Sequence, residues 1–227
     1  MSVNVELLNL RWSALFEHVE NSREVNGVFN DLVGLYTNPQ RYYHNLAHIK
    51  ACLTHLDEVT HYIDNKRIVE LALWFHDVIY HPGKSNNELL SARFAERSLA
   101  LFDYTEQDIQ QVSHLVNLTK HPSKPESNDE KFLIDIDLAI LGAGEPLYQN
   151  YSKWVRMEFH RVPSVLYKKG RKNILQEFLD MERIYQTDLF YHLYEKRARR
   201  NMLAELQQLS QSFKIFGGFS KKLFSHK

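Results

Sequence analysis

Apolar residues recur along the chain at the three- and four-residue spacing of helices, and glycine and proline are sparse between them. This pattern predicts an all-α protein. The first two predicted helices bury Leu7, Leu10, Ala14 and Leu15, and then Val25, Val28, Phe29, Leu32, Val33 and Tyr36. Asn38-Pro39 is a turn signal that ends the second of them.

The same spacing predicts helices over most of the remaining chain, at about 43–61, 66–80, 85–101, 105–120, 131–142, 145–160, 164–185 and 189–212. Ser85 and Glu88 have the form of a capping box at a helix start. Gly142 is expected to end its helix in the left-handed conformation. Residues 121–130 predict a loop, and residues 214–227 a peripheral tail.

No composition change separates two domains, so residues 1–227 are predicted to form a single all-helical domain. Its core is expected at about 36–190, followed by a C-terminal helix and tail at 191–227. Lys plus Arg and Asp plus Glu both number 28, which predicts neither a nucleic-acid-binding surface nor a membrane-binding one. The one cysteine excludes an intrachain disulfide, and the N-terminus lacks a signal-peptide pattern, so a cytoplasmic location is expected.

His76 and Asp77 are adjacent polar residues inside the apolar run LALWFHDVIY. A buried carboxylate requires an ion pair, hydrogen bonds or a metal, because burial otherwise disfavours its charged form. A structural ion pair is one interpretation. The apolar surroundings favour the other, a metal ion, which satisfies the charge and the hydrogen-bonding need together.

Two histidines precede this doublet at helical spacing. His44 and His48 are four residues apart, so on a helix they share one face with Cβ atoms about 5–6 Å apart. One or both could bind a metal, and Cys52 and His55 continue the same stripe. The alternative is that the histidines are satisfied surface groups and that Cys52 is an ordinary buried residue.

A third acidic position lies in KFLIDIDLAILG. The residues three and four positions from Asp137 are all apolar, whereas Asp135 has Lys131 as a neighbour and could form an exposed ion pair. Burial and metal binding are therefore assigned to Asp137, with Asp135 as the weaker candidate. Mixed imidazole and carboxylate ligands suit Mn, Fe, Co, Ni, Zn or Mg, and open coordination positions allow water activation.

The motifs RYYHNLAHI, LALWFHDVIYHP, NNELLSA and FLIDIDLAILG occur in this order over about residues 36–190. Together they resemble the HD superfamily, and most closely its bacterial family of predicted metal-dependent HD phosphohydrolases. The resemblance implies an all-helical fold and hydrolysis of a phosphoester or phosphoanhydride, in a nucleotide or another small phosphorylated metabolite. The implied metal ligands are His48, His76, Asp77 and Asp137.

The sequence departs from binuclear relatives of this type at Asn87, where many have a histidine that binds a second ion. This favours one divalent metal ion, although His121 lies where another second-metal histidine would fall and a weak second ion remains open. A di-iron HD oxygenase and a non-catalytic nucleotide-binding regulatory module are the alternative functions. Oligomeric state does not follow from the sequence.

Hydrolysis needs a group that moves a proton and cations that bind phosphate. The candidates for proton transfer are His44, Glu88 and His121, and a helix cap is the competing interpretation of Glu88. The candidates for phosphate binding are Arg41, Arg156 and Arg171.

Overall fold

The computed structural model describes residues 3–17 and 22–220, and within these ranges every regular element is a helix, which confirms the all-α prediction. The α-helices are α1 (Val5–Ala14), α2 (Ser22–Tyr36), α3 (Leu46–Glu58), α4 (Lys66–Phe75), α5 (Asn87–Leu99), α6 (Glu106–Leu118), α7 (Asn128–Leu138), α8 (Glu145–Glu158), α9 (Ser164–Asp180), α10 (Asp188–Phe190) and α11 (Lys196–Ser220). Short 3₁₀ turns cover Thr60–Tyr62 and Ala139–Gly142, and a π-helical turn covers Tyr191–Glu195.

The chain divides into two compact units, the first ending at Asp137 and the second beginning at Leu138. The single domain over residues 1–227 stays a prediction. Helix α11 continues eight residues beyond its predicted end at 212, so it includes part of the predicted tail. The rest of that tail, residues 221–227, lies outside the described residues.

Helix α4 runs through the core of the first unit. Each of its residues from 68 to 75 is buried, so the helix is enclosed on all sides over this length. The Trp12 ring of α1 meets Trp74 and Phe75 edge-on, with centroids 5.5 and 5.8 Å apart. The Tyr36 hydroxyl of α2 donates a hydrogen bond to the Trp74 carbonyl at 2.9 Å. These contacts hold the C-terminal end of α4 in place.

A buried charge on α4 is neutralised by α1. Glu70 is 5% exposed, and its two carboxylate oxygens accept hydrogen bonds from Arg11 Nε and Nη2 at 2.6 and 3.1 Å. Arg11 also donates to Asp57 at 2.6 and 2.9 Å. A bidentate guanidinium pair of this kind satisfies a carboxylate that could not otherwise remain charged in the core.

The predicted apolar face is correct for α2 and wrong for α1. In α2, residues 25, 28, 29, 32 and 36 are buried, as predicted, and Val33, the sixth residue of the predicted face, is half-buried. In α1, Leu7 and Leu10 are 62% and 64% exposed, and Leu8 and Trp12 are buried instead. The large indole of Trp12 gains more from burial than Leu10 does, so it sets which side of this short helix faces the core.

The predicted start of α6 is confirmed and that of α5 is wrong. Thr105 and Asp108 form a complete capping box on α6. Helix α5 begins at Asn87, two residues after Ser85, and its N-cap Asn86 makes no side-chain hydrogen bond. The Ser85 carbonyl instead accepts a hydrogen bond from Lys120 Nζ at 2.9 Å, which holds Ser85 outside the helix.

The loop predicted at 121–130 is shorter than expected, because α7 begins at Asn128. The Glu130 carboxylate accepts hydrogen bonds from the amides of Glu126 and Ser127 at 2.6 and 3.3 Å. These bonds satisfy amides that no helical carbonyl reaches, and they allow the helix to begin earlier.

Gly142, in the second unit, does not adopt the left-handed conformation that was predicted for it. Among the described residues only Gly83 has a positive φ. A Cβ atom at Gly142 would lie 2.5 Å from Tyr194 Cβ and 3.0 Å from the Tyr185 hydroxyl. Glycine is required here because another part of the unit packs directly against its backbone.

Helix α9 ends at Asp180, five residues before its predicted end. The amides of Ile184 and Tyr185 donate to the Glu195 carboxylate at 3.1 and 3.2 Å rather than to helical carbonyls. The buried Glu195 side chain therefore stabilises a non-helical connection.

No helix in the described ranges combines the length and the apolar character needed to span a membrane.

Candidate metal centre

Helix α3 carries His48 and Cys52 one turn apart. The helix begins at Leu46 because the Asn45 side chain accepts a hydrogen bond from the Ala47 amide at 2.8 Å. His48 is 6% exposed and Cys52 is 1% exposed. The helix start thus places an imidazole and a thiol on the same buried face.

His44 lies before α3, so the prediction that it shares a helical face with His48 is wrong. Asn45 caps the helix two residues after Tyr43, where the helix was predicted to begin. The His44 ring stacks on Tyr80, with centroids 4.0 Å apart and planes at 27°. His55, at the far end of the predicted stripe, pairs with Glu58 at 2.9 Å near the surface.

The His76-Asp77 doublet follows the last residue of α4 instead of lying within a helix. His76 is the C-cap residue. The carbonyls of Asp77 and Val78 accept hydrogen bonds from the Arg41 guanidinium at 2.6 and 2.7 Å. Because a side chain satisfies these carbonyls, the chain can leave the helix here.

The hydrogen bonding of His76 identifies which of its nitrogens faces the cluster. Nδ1 lies 2.9 Å from the Leu73 carbonyl, which can only accept, so Nδ1 carries the hydrogen. Nε2 lies 3.1 Å from His48 Nε2. Metal-binding histidines commonly donate their other nitrogen to a carbonyl in this way, which fixes the ring and its tautomer.

The carboxylates complete the cluster. Asp137 Oδ1, on α7, lies 3.2 Å from His48 Nε2 and 3.4 Å from His76 Nε2. Asp77 Oδ2 lies 3.2 Å from His76 Nε2 and 3.7 Å from His48 Nε2. The structure therefore brings together all four side chains that the sequence singled out as metal ligands.

These separations fit donor atoms arranged around one divalent ion. Ligand atoms about 2.0–2.1 Å from such an ion lie about 3.0 Å apart in octahedral geometry and about 3.4 Å apart in tetrahedral geometry. The two imidazole nitrogens are 3.1 Å apart, and Asp137 Oδ1 is 3.2 and 3.4 Å from them. The side chains need little rearrangement to hold a metal.

Among the described residues, His48, Cys52, His76 and Asp137 form a group that could hold a metal ion, with one ligand atom from each within 4.8 Å of the others. Cys52 Sγ lies 3.7 Å from both ring nitrogens of His48. Burial raises the pKa of the thiol well above its ordinary value, and the charges of Asp137 and Asp77 raise it further. The sequence places Cys52 on the stripe of His44 and His48, and its four-residue spacing from His48 is the signal that points to the metal-binding group.

The two carboxylates give the cluster a strong preference for positive charge. Burial alone would lower the pKa of His76, but Asp77 and Asp137 outweigh it and raise that pKa well above the ordinary value. Burial would raise the pKa of Asp77, but His76, His44 and His48 hold it well below its usual range. The pKa of Asp137 is also lowered, because hydrogen bonds from the surrounding histidines outweigh its burial.

Solvent reaches the cluster from the carboxylate side. The side chains of His48 and His76 are 4% and 1% exposed, whereas those of Asp77 and Asp137 are 19% and 16% exposed. A small molecule that contacts an ion held here would therefore approach past the carboxylates. The two histidine side chains are shielded from solvent and form the buried side of the site.

Two of the three proton-transfer candidates have informative surroundings. His121 Nε2 lies 3.4 Å from Asp137 Oδ2, so Asp137 directs one oxygen to His48 and His76 and the other to His121. Glu88 has a buried carboxylate oxygen, Oε2, that accepts no hydrogen bond from any described residue. Its predicted role in a capping box with Ser85 is wrong.

Asn87, at the position compared with a second-metal histidine, is used to shape a turn. Its side chain accepts a hydrogen bond from the His81 amide at 3.0 Å and donates to the carbonyls of His81 and Lys84 at 3.1 and 3.4 Å.

Asp135 is fully buried, so its interpretation as an exposed ion pair is wrong. Residues 132–136 are all buried because α7 is enclosed over this length.

Each arginine proposed to bind phosphate makes contacts within its own unit. Arg41 donates to the carbonyls of Asp77, Val78 and His44, the last at 3.2 Å, which makes it a support of the doublet. Phosphate binding by this guanidinium stays a prediction.

The other two arginines lie in the second unit. Arg171 is 7% exposed and donates from Nε and Nη2 to Glu205 at 2.8 and 3.0 Å, an internal ion pair. Arg156 donates to the carbonyls of Phe159 and Val162, and its guanidinium lies 4.7 Å from the centre of the Tyr167 ring. These contacts account for much of their hydrogen-bonding capacity, and phosphate binding by them also stays a prediction.

Comparison of the chain with protein-family models, with curated proteins and with solved structures gave no match.

Proposed function

We propose that this protein is a metal-dependent phosphohydrolase that acts on a nucleotide or another small phosphorylated metabolite. The observation that carries the proposal is the convergence of His48, His76, Asp77 and Asp137 at distances suited to one divalent ion. The sequence order of these residues resembles that of the HD superfamily, in which such a cluster supports phosphate ester hydrolysis.

The chain's own residues would divide the work between the two sides of the cluster. His48 and His76 would hold the ion from the buried side, and the Leu73 carbonyl fixes the His76 ring. Asp77 and Asp137 would hold it from the side that solvent reaches. The bound ion would lower the pKa of a coordinated water and neutralise charge on a phosphate oxygen.

His121 is best placed to move a proton. It contacts the Asp137 oxygen that is turned away from the two other histidines, and its side chain is 21% exposed. A residue there can accept a proton from water near the carboxylate side and return it to solvent. Glu88 and His44 remain further candidates, Glu88 because its Oε2 is buried and accepts no hydrogen bond from a described residue.

One ion per chain is expected, because the amide of Asn87 is engaged with main-chain atoms of the 81–84 turn. The position of His121 beside Asp137 favours one alternative, a second ion that these two residues would hold. Two irons per chain by elemental analysis would support the di-iron oxygenase instead. One tightly bound ion without hydrolysis of any phosphorylated compound would support a binding module.

The test is metal analysis of the purified chain, followed by a phosphatase and nucleotidase screen with that metal restored. Asp77→Ala should abolish metal binding and turnover while leaving the helical circular dichroism largely intact. Asp31→Ala removes an exposed aspartate of the same unit and should change neither. Full activity of Asp77→Ala on any substrate found would refute the assignment.

A further inference from the structure

A groove with an excess of positive charge lies on the first unit, between the segment that follows the doublet and the outer face of α5. Its volume is about 610 Å³, within the range of small-molecule sites. We call it the cationic groove; it is lined by Ile79, His81, Leu90, Arg93, Glu96 and Arg97.

The positive charge of the groove is not balanced within it. Arg93 and Arg97 are exposed and one helical turn apart, and Arg97 Nε makes only a 3.3 Å hydrogen bond to the Arg93 carbonyl. In the described part of the chain, neither guanidinium forms an ion pair with a carboxylate. The one acid of the groove, Glu96, accepts a 2.5 Å hydrogen bond from the Ser113 hydroxyl of α6.

Unpaired guanidinium groups one turn apart repel each other, and a bound anion would relieve that repulsion. Each guanidinium presents a planar fork that matches two oxygens of a phosphate group. Leu90 and Ile79 add apolar surface to the groove, which can contact the uncharged part of such a ligand. The chemistry of the groove thus fits a phosphate-bearing ligand.

The groove is joined to the metal centre by a short, firmly held segment. The Ser91 hydroxyl bonds both the amide and the carbonyl of Ile79, at 3.0 and 3.2 Å. Asn87 binds both main-chain polar groups of His81. Asp77 and His81 are four residues apart, so even a fully extended chain separates their Cα atoms by at most about 14 Å.

We propose that the cationic groove binds a second anionic group of the substrate, a phosphate distant from the one that is hydrolysed. The substrate class is therefore a small molecule with two or more phosphate groups, either linked in a chain or at separate positions. The inference rests on the proposed hydrolase function for the identity of the first phosphate. Arg93 and Arg97 are then specificity-determining residues, which select against singly phosphorylated compounds.

Binding is tested with inorganic pyrophosphate as the probe, titrated by calorimetry into the full-length protein as purified. Arg93→Gln/Arg97→Gln should weaken pyrophosphate binding at least about tenfold, since two charge-assisted contacts are lost. The matched control is Arg23→Gln/Lys50→Gln, which removes the same charge from exposed positions of the same unit and should change affinity less than about threefold. Equal pyrophosphate affinity in wild type and groove variant, or an equal loss in the groove variant and the control variant, would refute anion binding by Arg93 and Arg97.

Kinetics separate this inference from the hydrolase proposal. If the protein hydrolyses phosphates, the groove variant should raise KM for doubly phosphorylated substrates and leave p-nitrophenyl phosphate hydrolysis unchanged. Hydrolysis with an unchanged KM in the groove variant would refute substrate binding by the groove and leave the hydrolase proposal standing. Pyrophosphate binding that depends on the two arginines, without hydrolysis of any substrate, would support an anion site in the groove and refute the hydrolase proposal. If the double variant loses its helical signal, Arg93→Gln alone provides the comparison, because the exposed Arg93 guanidinium forms no ion pair with a described carboxylate.

Discussion

Arg41 offers the sharpest test of how the metal centre is assembled, because its guanidinium ties the doublet to the segment before α3. We consider Arg41→Lys, which keeps the charge and removes the fork. The wild-type side chain donates to the Asp77 and Val78 carbonyls at 2.6 and 2.7 Å and to the His44 carbonyl at 3.2 Å. Hydrogen bonds with a charged partner contribute about 1.5–3 kcal/mol each, and a lysine ammonium can keep one of the two short bonds together with the longer one, so that one short bond is lost.

The expected loss is therefore about 1.5–3 kcal/mol in the free energy of unfolding, measured by urea denaturation with circular dichroism. Metal affinity should also fall, by about 10- to 100-fold, as is typical when a group that orients metal ligands is removed. A competition titration against a chromogenic chelator measures this second quantity. Both effects follow because Asp77 would no longer be held where its carboxylate meets His76.

Arg67→Lys is the matched control. Arg67 donates from Nε to the Tyr104 hydroxyl at 2.8 Å and lies over the same ring, within the same unit. Its substitution should lower stability without changing metal affinity. If Arg41→Lys bound metal as tightly as wild type, the positioning role would be refuted. A raised KM for phosphorylated substrates with unchanged metal affinity would support phosphate binding by Arg41 instead.

Two further predictions concern the second unit. Gly142→Ala should destabilise the protein by about 1–3 kcal/mol, because the new Cβ atom would overpack against a tyrosine side chain. Gly170→Ala lies mid-helix with no atom within 4 Å of the new Cβ, so it should stabilise the protein by about 0.5–1 kcal/mol. Urea unfolding of both variants checks these opposite signs, and equal effects would contradict the crowding at Gly142. Burial would raise the pKa of Glu205, but its pair with Arg171 outweighs this and lowers it, so its stabilisation is complete above the ordinary pKa of 4.5 and is lost as pH falls through the lower folded-state value. Unfolding of wild type and Glu205→Gln between about pH 7 and pH 3 should show a stability difference that shrinks with acid, and a constant difference would argue against the ionised pair.

The helical class and most helices could be predicted because apolar spacing is a local property of the chain. The end of a helix depends on which group satisfies its terminal amides and carbonyls. Asn45 begins α3 later than predicted, and Glu195 draws two amides away from α9. The face of α1 was misassigned because burial of Trp12 is decided by partners distant in sequence.

Most members of the candidate site could be predicted because buried charges require partners, and His48, His76, Asp77 and Asp137 do lie together. Cys52 was not assigned, because a neutral buried thiol requires no such partner. Their local geometry could not. Arg41 donates its hydrogen bonds to main-chain carbonyls 36 and 37 residues away. Every residue has such a carbonyl, so the sequence does not indicate which ones will accept a bond from Arg41.

The buried carboxylate of Asp129 has a consequence for how fast the candidate site would exchange a metal ion. Near the start of α7, it accepts hydrogen bonds from the amides of Asp64 and Asn65, just before α4, at 2.7 and 2.8 Å. At the other ends of the same two helices, His76 and Asp137 are 3.4 Å apart. Only the second of these links involves residues that we propose as metal ligands, so the first is expected to persist whether or not an ion is bound. The proposed ligands would then stay aligned, little ordering entropy would be lost on binding, and ion exchange should be limited by passage between the carboxylates rather than by refolding.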